Sequence, residues 1–317
     1  MFAISNLPTR QFRNGIRAYP KIEALELRDV PSVAHFYAVG TPAGGGTRVA
    51  VFNASTNALV GNFSAFETSC TCGVTTATGD VNGDGVDDVI VASGEGGGPR
   101  IRVFDGTTVG NANPKILDDF FAMENTFRGG LSISAGDVNG DGHADLIIGA
   151  GSGGAPRVRV LDGATLTSSS QKTLADFFAF ESTFRGGVNV GSGDFNGDGH
   201  ADIMVGSGIG DAPRVRVLNG VTLAPMADYF AFDTSLRNGV TVTSGDMNND
   251  GVLDVIAATG ENGHMTVNVF DGLTNYQMSN ISAPIAMPTR IWYDSNGISQ
   301  FYSDAFIGSF SGGVSVD

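Results

Sequence analysis

Short apolar runs recur along the chain: Val89-Ile-Val-Ala92, Leu146-Ile-Ile-Gly149, Ile203-Met-Val-Gly206 and Val255-Ile-Ala-Ala258. Runs of this length, with a glycine at or soon after their end, predict strands buried on both faces. Upstream lie alternating stretches, Leu131-Ser-Ile-Ser134, Val188-Asn-Val-Gly191 and Val240-Thr-Val-Thr243, whose period of two predicts a strand with one buried face. A glycine-rich turn and a third strand follow each run, as in Gly153-Gly-Ala-Pro156-Arg-Val-Arg-Val-Leu-Asp-Gly163. A fourth, aromatic strand closes the unit: Asp119-Phe-Phe-Ala122, Asp176-Phe-Phe-Ala179 and Asp228-Tyr-Phe-Ala231. No long helical periodicity appears.

Between the first and second strands the chain writes one nine-residue loop four times, starting at Asp80, Asp137, Asp194 and Asp246 and thus 57, 57 and 52 residues apart. Four strands at that period predict an all-β fold, a β-propeller of four-stranded antiparallel blades, because each small sheet must bury its faces against its neighbours. First-strand positions Val74, Leu131, Val188, Val240 and Val314 count five repeats, but the last interval is 74 residues. The extra length around Pro284 to Tyr302 is an added hairpin or a worn further blade, so the expectation is five or six blades.

Each loop offers hard oxygens at alternate positions and an Asp at the ninth, the donor type that Ca²⁺ requires. A single copy also reads as an Asx-rich turn satisfying its own backbone. Four copies in register favour about four calcium sites. An EF-hand is excluded, since position 12 is Val91, Ile148, Val205 or Ala257 rather than Glu, and strands flank the loop.

With Asp-x-Asn-x-Asp-Gly-x-x-Asp loops and Gly154-Ala-Pro156, the chain resembles FG-GAP/VCBS repeat proteins, a family that includes the integrin α-subunit propeller. The Phe-Gly half of the motif is missing, so membership of the adhesive branch is not implied. The resemblance implies side-chain ligands from positions 1, 3, 5 and 9: Asp80, Asn82, Asp84 and Asp88; Asp137, Asn139, Asp141 and Asp145; Asp194, Asn196, Asp198 and Asp202; Asp246, Asn248, Asp250 and Asp254. Position 7, which is Val86, His143, His200 or Val252, would contribute its backbone carbonyl.

The resemblance covers about residues 33 to 317, leaving residues 1 to 32 as an N-terminal leader expected to be disordered. Within the propeller, the first piece (from Phe36) starts at a second strand, and the last (Phe306 to Val316) stops after a first strand. A C-terminal strand completing the first blade would close the ring and remove two sheet edges; a truncated longer array is the rival reading.

The formal charge of −15 mostly reflects the loops, since four Ca²⁺ would add +8 and leave −7. With 18 basic against 33 acidic residues, nucleic acid is not expected as a partner. No run approaches a membrane span and no signal peptide is evident. Cys70 reads as a buried plug in place of an aromatic, with a Cys70–Cys72 disulfide or a soft-metal contact as the alternatives, although two ligands do not make a zinc site. His143 and His200 are expected to point their rings into solvent. Arg100 and Arg102, Arg157 and Arg159, and Arg214 and Arg216 read as charged faces pairing with nearby Asp, or as a basic ring around one opening. Asn219, outside the loops, is taken as a reference position for substitutions. Gly149-Ala-Gly151-Ser-Gly-Gly154 imitates a dinucleotide fingerprint, but the segment after it is a strand. No convergent catalytic residues are found outside the loops, so the chain is not expected to be an enzyme. The expected function is an extracellular or cell-surface binding, adhesion or structural module for protein or glycan. The alternative is a secreted polysaccharide lyase or hydrolase.

Overall fold

The computed structural model describes residues 35–167, 170–261, 264–272, 274–275, 277–281, 292–293 and 299–300. Its strands form five blades of a β-propeller. Blade 1 holds β1 (Phe36–Gly40), β2 (Arg48–Asn53) and β3 (Leu59–Ser64). Blade 2 holds β4 (Val74–Gly79), β5 (Asp88–Ser93), β6 (Arg100–Phe104) and β7 (Ile116–Phe121). Blade 3 follows with β8 (Leu131–Gly136), β9 (Asp145–Ala150), β10 (Arg157–Leu161) and β11 (Thr173–Phe178). Blade 4 holds β12 (Val188–Gly193), β13 (Asp202–Ser207), β14 (Arg214–Leu218) and β15 (Pro225–Phe230). Blade 5 holds β16 (Thr241–Gly245), β17 (Asp254–Glu261), β18 (His264–Phe270) and β19 (Gln277–Ile281).

Every blade is an antiparallel meander, and in each the ladder of the last two strands slips by one residue at the same place, such as Val103/Phe104 or Val160/Leu161. Blade 1 slips at Val51/Phe52, which identifies β1, β2 and β3 as the second, third and fourth strands of a blade. The innermost strands pack in sequence, β4 on β8, β8 on β12 and β12 on β16, with β1 against β4. The proposed closing strand near residues 312–317 and the leader at 1–32 lie outside the described residues. Beyond blade 5, the extra segment carries a two-residue ladder of β20 (Trp292–Tyr293) with β21 (Ser299–Gln300).

The core lies between blades rather than within them. Val89 and Val91 pack in a cluster with Val49, Val51 and Phe63 of blade 1, whereas Ile90 joins Leu131, Ile133 and Ile148 of blade 3. Alternate side chains of β5 thus serve two seams, and all six of its residues are buried. That is why the second strands read as unbroken apolar runs.

Candidate metal centres

Each nine-residue loop winds around the carboxylate at its first position. Asp80 Oδ1 accepts hydrogen bonds from the amides of Gly83 and Asp84 at 2.7 and 3.1 Å, and Oδ2 accepts from Gly85 at 2.8 Å. Asn82 Oδ1 takes the Asp84 amide and Asp84 Oδ1 takes that of Val86, each two residues ahead. The same ladder forms on Asp137 and Asp194, and Asp246 accepts the amides of Asp250 and Gly251 at the corresponding positions. The turn needs left-handed backbone at positions 4 and 6, supplied by Gly83 and Gly85 at φ 74° and 84°. In the fourth loop, Asn249 takes the first of these at φ 59°, a conformation Asn tolerates better than most residues.

The ninth position ties the loop to the blade. Asp88, Asp145, Asp202 and Asp254 are fully buried. Asp145 Oδ2 accepts from the Val138 amide at 2.9 Å, and Oδ1 accepts from the Gly163 amide at 2.8 Å, just beyond the third strand. Burial raises the Asp88 carboxyl to about 7 and Asp145 to about 6, and the nearby charges of Asp84 and Asp141 push the same way. Asp202 and Asp254 are raised for the same first reason.

Sequence reading missed the glycines that donate to these carboxylates: Gly106, Gly163, Gly220 and Gly272. A Cβ at Gly163 would lie 2.1 Å from the Ala144 carbonyl oxygen, and the other three are equally tight. The signal was present as the Asp-Gly or Asn-Gly pair that follows the third strand in all four repeats.

The donor set suits a hard cation, being all oxygen and including a buried carboxylate that burial and a neighbouring carboxylate hold out of its ordinary range. Among the described residues, however, no three His, Cys, Asp or Glu side chains are gathered as a metal-holding group. The loop amides occupy much of the oxygen set, and the Nδ2 groups of Asn139 and Asn248 lie 3.1 and 2.8 Å from Asp141 and Asp250. The Asx-turn network expected of the plainer reading is therefore present in all four loops.

Three expectations are corrected by the structure. The rings of His143 and His200 do not face solvent; each sits against the loop of the preceding blade, where a Cβ on Gly83 or Gly140 would collide with it. His143 Nδ1 lies 2.9 Å from the Val81 carbonyl, while His200 Nδ1 is buried without a partner. Asn219 is no neutral reference, because its Nδ2 donates to Asp198 Oδ2 at 3.3 Å. Cys70 is not a free plug, since it is bonded to Cys72.

The paired arginines form no open basic ring. Arg157 donates to Asp176 through Nε and Nη2 at 2.7 and 2.8 Å and to Glu124 of the preceding blade at 2.9 Å. Arg159 donates to Asp176 and, through Nη1, to the Ala122 carbonyl of that blade at 2.7 Å. Arg100 and Arg102, and Arg214 and Arg216, repeat the pattern around Asp119 and Asp228. Their guanidinium groups also lie 5.4 to 5.7 Å from the rings of Phe66 and Phe180.

Among solved structures, the chain matches that of an exotype rhamnogalacturonan lyase, with TM-score 0.45 and 11% identity over 80% of this chain. It spans about half of that protein, 47% of its length. The expectation that this chain is not an enzyme is withdrawn in view of that match, which at this identity assigns it no activity either. No helix among the described residues is long and apolar enough to cross a membrane. A family described as FG-GAP-like repeat matches residues 80–148, 137–205 and 194–257, together more than half of the sequence and including all four loops. This chain belongs to the FG-GAP-like repeat family.

Proposed function

We propose that the protein is a calcium-stabilised propeller acting outside the cell or at its surface as a binding, adhesion or structural module for protein or glycan. The observation that carries this reading is the fourfold loop with its buried ninth-position carboxylate. A bound Ca²⁺ would neutralise carboxylates that otherwise repel one another, held by the side chains at positions 1, 3, 5 and 9 and the carbonyl at position 7. The Cys70–Cys72 disulfide supports an oxidising surrounding.

A site at ~100 times its dissociation constant stabilises a fold by about 2.7 kcal/mol, so four would rival the ~5–15 kcal/mol of a typical domain. Chelation is expected to lower the melting temperature by many degrees, and Asp198→Ala to reproduce part of the loss. Asn113→Ala, at an exposed position away from the loops, is the control. Calorimetry giving one melting temperature with calcium and with excess chelator would remove the reading. A glycan array run beside a polysaccharide-degradation screen then separates a binding module from an enzyme.

A further inference from the structure

The face opposite the calcium-type loops carries a second repeated feature. Arg128, Arg185 and Arg237 lie in the connections leading from one blade to the next, and each is exposed. Their carbonyls accept the amides of Gly96, Gly153 and Gly210, all at 2.8 Å, which fixes them beside the glycine-rich turns. Each guanidinium uses Nη1 to cap two carbonyls of its own connection, such as Ser182 and Phe184 for Arg185. None of the three forms an ion pair with a described residue, whereas the arginines of the third strands are neutralised. Acids on these turns are Glu95 and Asp211; Asp211 Oδ1 accepts the Ala212 amide.

Seven residues before each arginine stands an exposed phenylalanine: Phe121, Phe178 and Phe230, at 58%, 52% and 51% exposure. Between the connections of Arg185 and Arg237 lies a cavity of about 270 Å³, lined in part by Gly186, Ile209 and Asn238. That is close to the lower end of the roughly 300–1,000 Å³ range of small-molecule sites, the scale of one sugar ring. Ser152, Asn238 and Thr241 are exposed polar residues of its lining and make no side-chain hydrogen bond among the described residues.

We propose that this face binds an acidic polysaccharide: the cavity between Arg185 and Arg237 takes one uronate residue, and the phenylalanine–arginine pairs of the neighbouring blades take flanking residues. The reading rests on the binding function proposed above and names its ligand class. An exposed ring packs against the apolar face of a pyranose, a guanidinium meets its carboxylate, and the amide and hydroxyl groups meet its hydroxyls. A chain with net charge −15 disfavours nucleic acid, whose charge density is higher.

The test is calorimetric titration of the calcium-loaded protein with tetragalacturonate and with its carboxyl-reduced counterpart. The charged probe is expected to bind roughly tenfold tighter, and Arg185→Gln or Arg237→Gln to weaken it about fivefold or more without changing the reduced probe. Because these arginines also cap their turns, Phe230→Ser is the second variant, and it should weaken both probes. Equal affinity for the two probes, indifference to all three substitutions, or equal binding of a single-stranded oligonucleotide of matched charge would overturn the proposal. If neither probe binds but the glycan array finds a neutral glycan, this inference fails and the binding function stands. Silence in every arm removes this inference together with the glycan-binding part of the proposed function.

Discussion

Glycine at 163 is dictated by what a methyl group would meet. Its Cβ would fall 2.1 Å from a backbone oxygen of the adjoining loop, which has no flexible end to swing away. The same residue's amide supplies one of the bonds to buried Asp145, so displacement would also leave a carboxylate oxygen short of a donor. Gly163→Ala is therefore expected to cost about 3 kcal/mol or more, read by urea unfolding. Gly153→Ala, where nothing lies within 4 Å, isolates the penalty of its positive φ. Equal losses for the two would refute the steric account.

At the scale of the element, the third strand of one blade is latched to the end of the blade before it. Arg102 and Arg159 reach the carbonyls of Ala65 and Ala122 at 2.6 and 2.7 Å, Arg216 reaches Ala179, and in blade 5 Asn268 does the same to Ala231 at 2.6 Å. The carboxylate that aims these arginines has a pH signature. Hydrogen bonds from Arg157 hold Asp176 below its ordinary value against the opposing effect of burial, and Arg159 adds to them. Its contribution is present above the unfolded value of 3.8 and is lost as pH falls through the lower folded value. The pair is partly exposed, so the contribution is below ~1 kcal/mol. Asp176→Asn should be less stable than the parent at pH 7, with the gap closing toward pH 2.5 in thermal melts. A gap independent of pH would show that the charge is not what aims the arginines.

For the whole molecule, the strand order of the blades was legible because it is written in periodicities that repeat. Apolar runs such as Leu146-Ile-Ile148 must be buried on both sides, and at this unit length neighbouring blades are what can cover them. Contacts made across seams were not legible. Nothing local distinguishes His143, whose ring lies on the previous loop, from a solvent-facing histidine at the same loop position. Asn219 likewise meets Asp198 only because the loop and the third strand end together. The loops were legible as sequence, but their network of amides satisfies much of the carboxylate oxygen set, so the pattern alone does not separate a turn from a cation site.

One contact carries further than its size. The carbonyl of Asp80 accepts the Ala144 amide at 2.8 Å, and that of Asp137 accepts the Ala201 amide at 2.7 Å, so the first three loops are strung together by main chain. The fourth has no counterpart among the described residues: Leu253 stands at that place, and the His ring is replaced by Val252. Blades 2 to 4 should then open as one cooperative unit, with blade 5 free to part earlier. Native-state hydrogen exchange is expected to show shared protection of amides in β5, β9 and β13 and lower protection in β17. Identical opening free energies in all four would mean that the main-chain string confers no cooperativity.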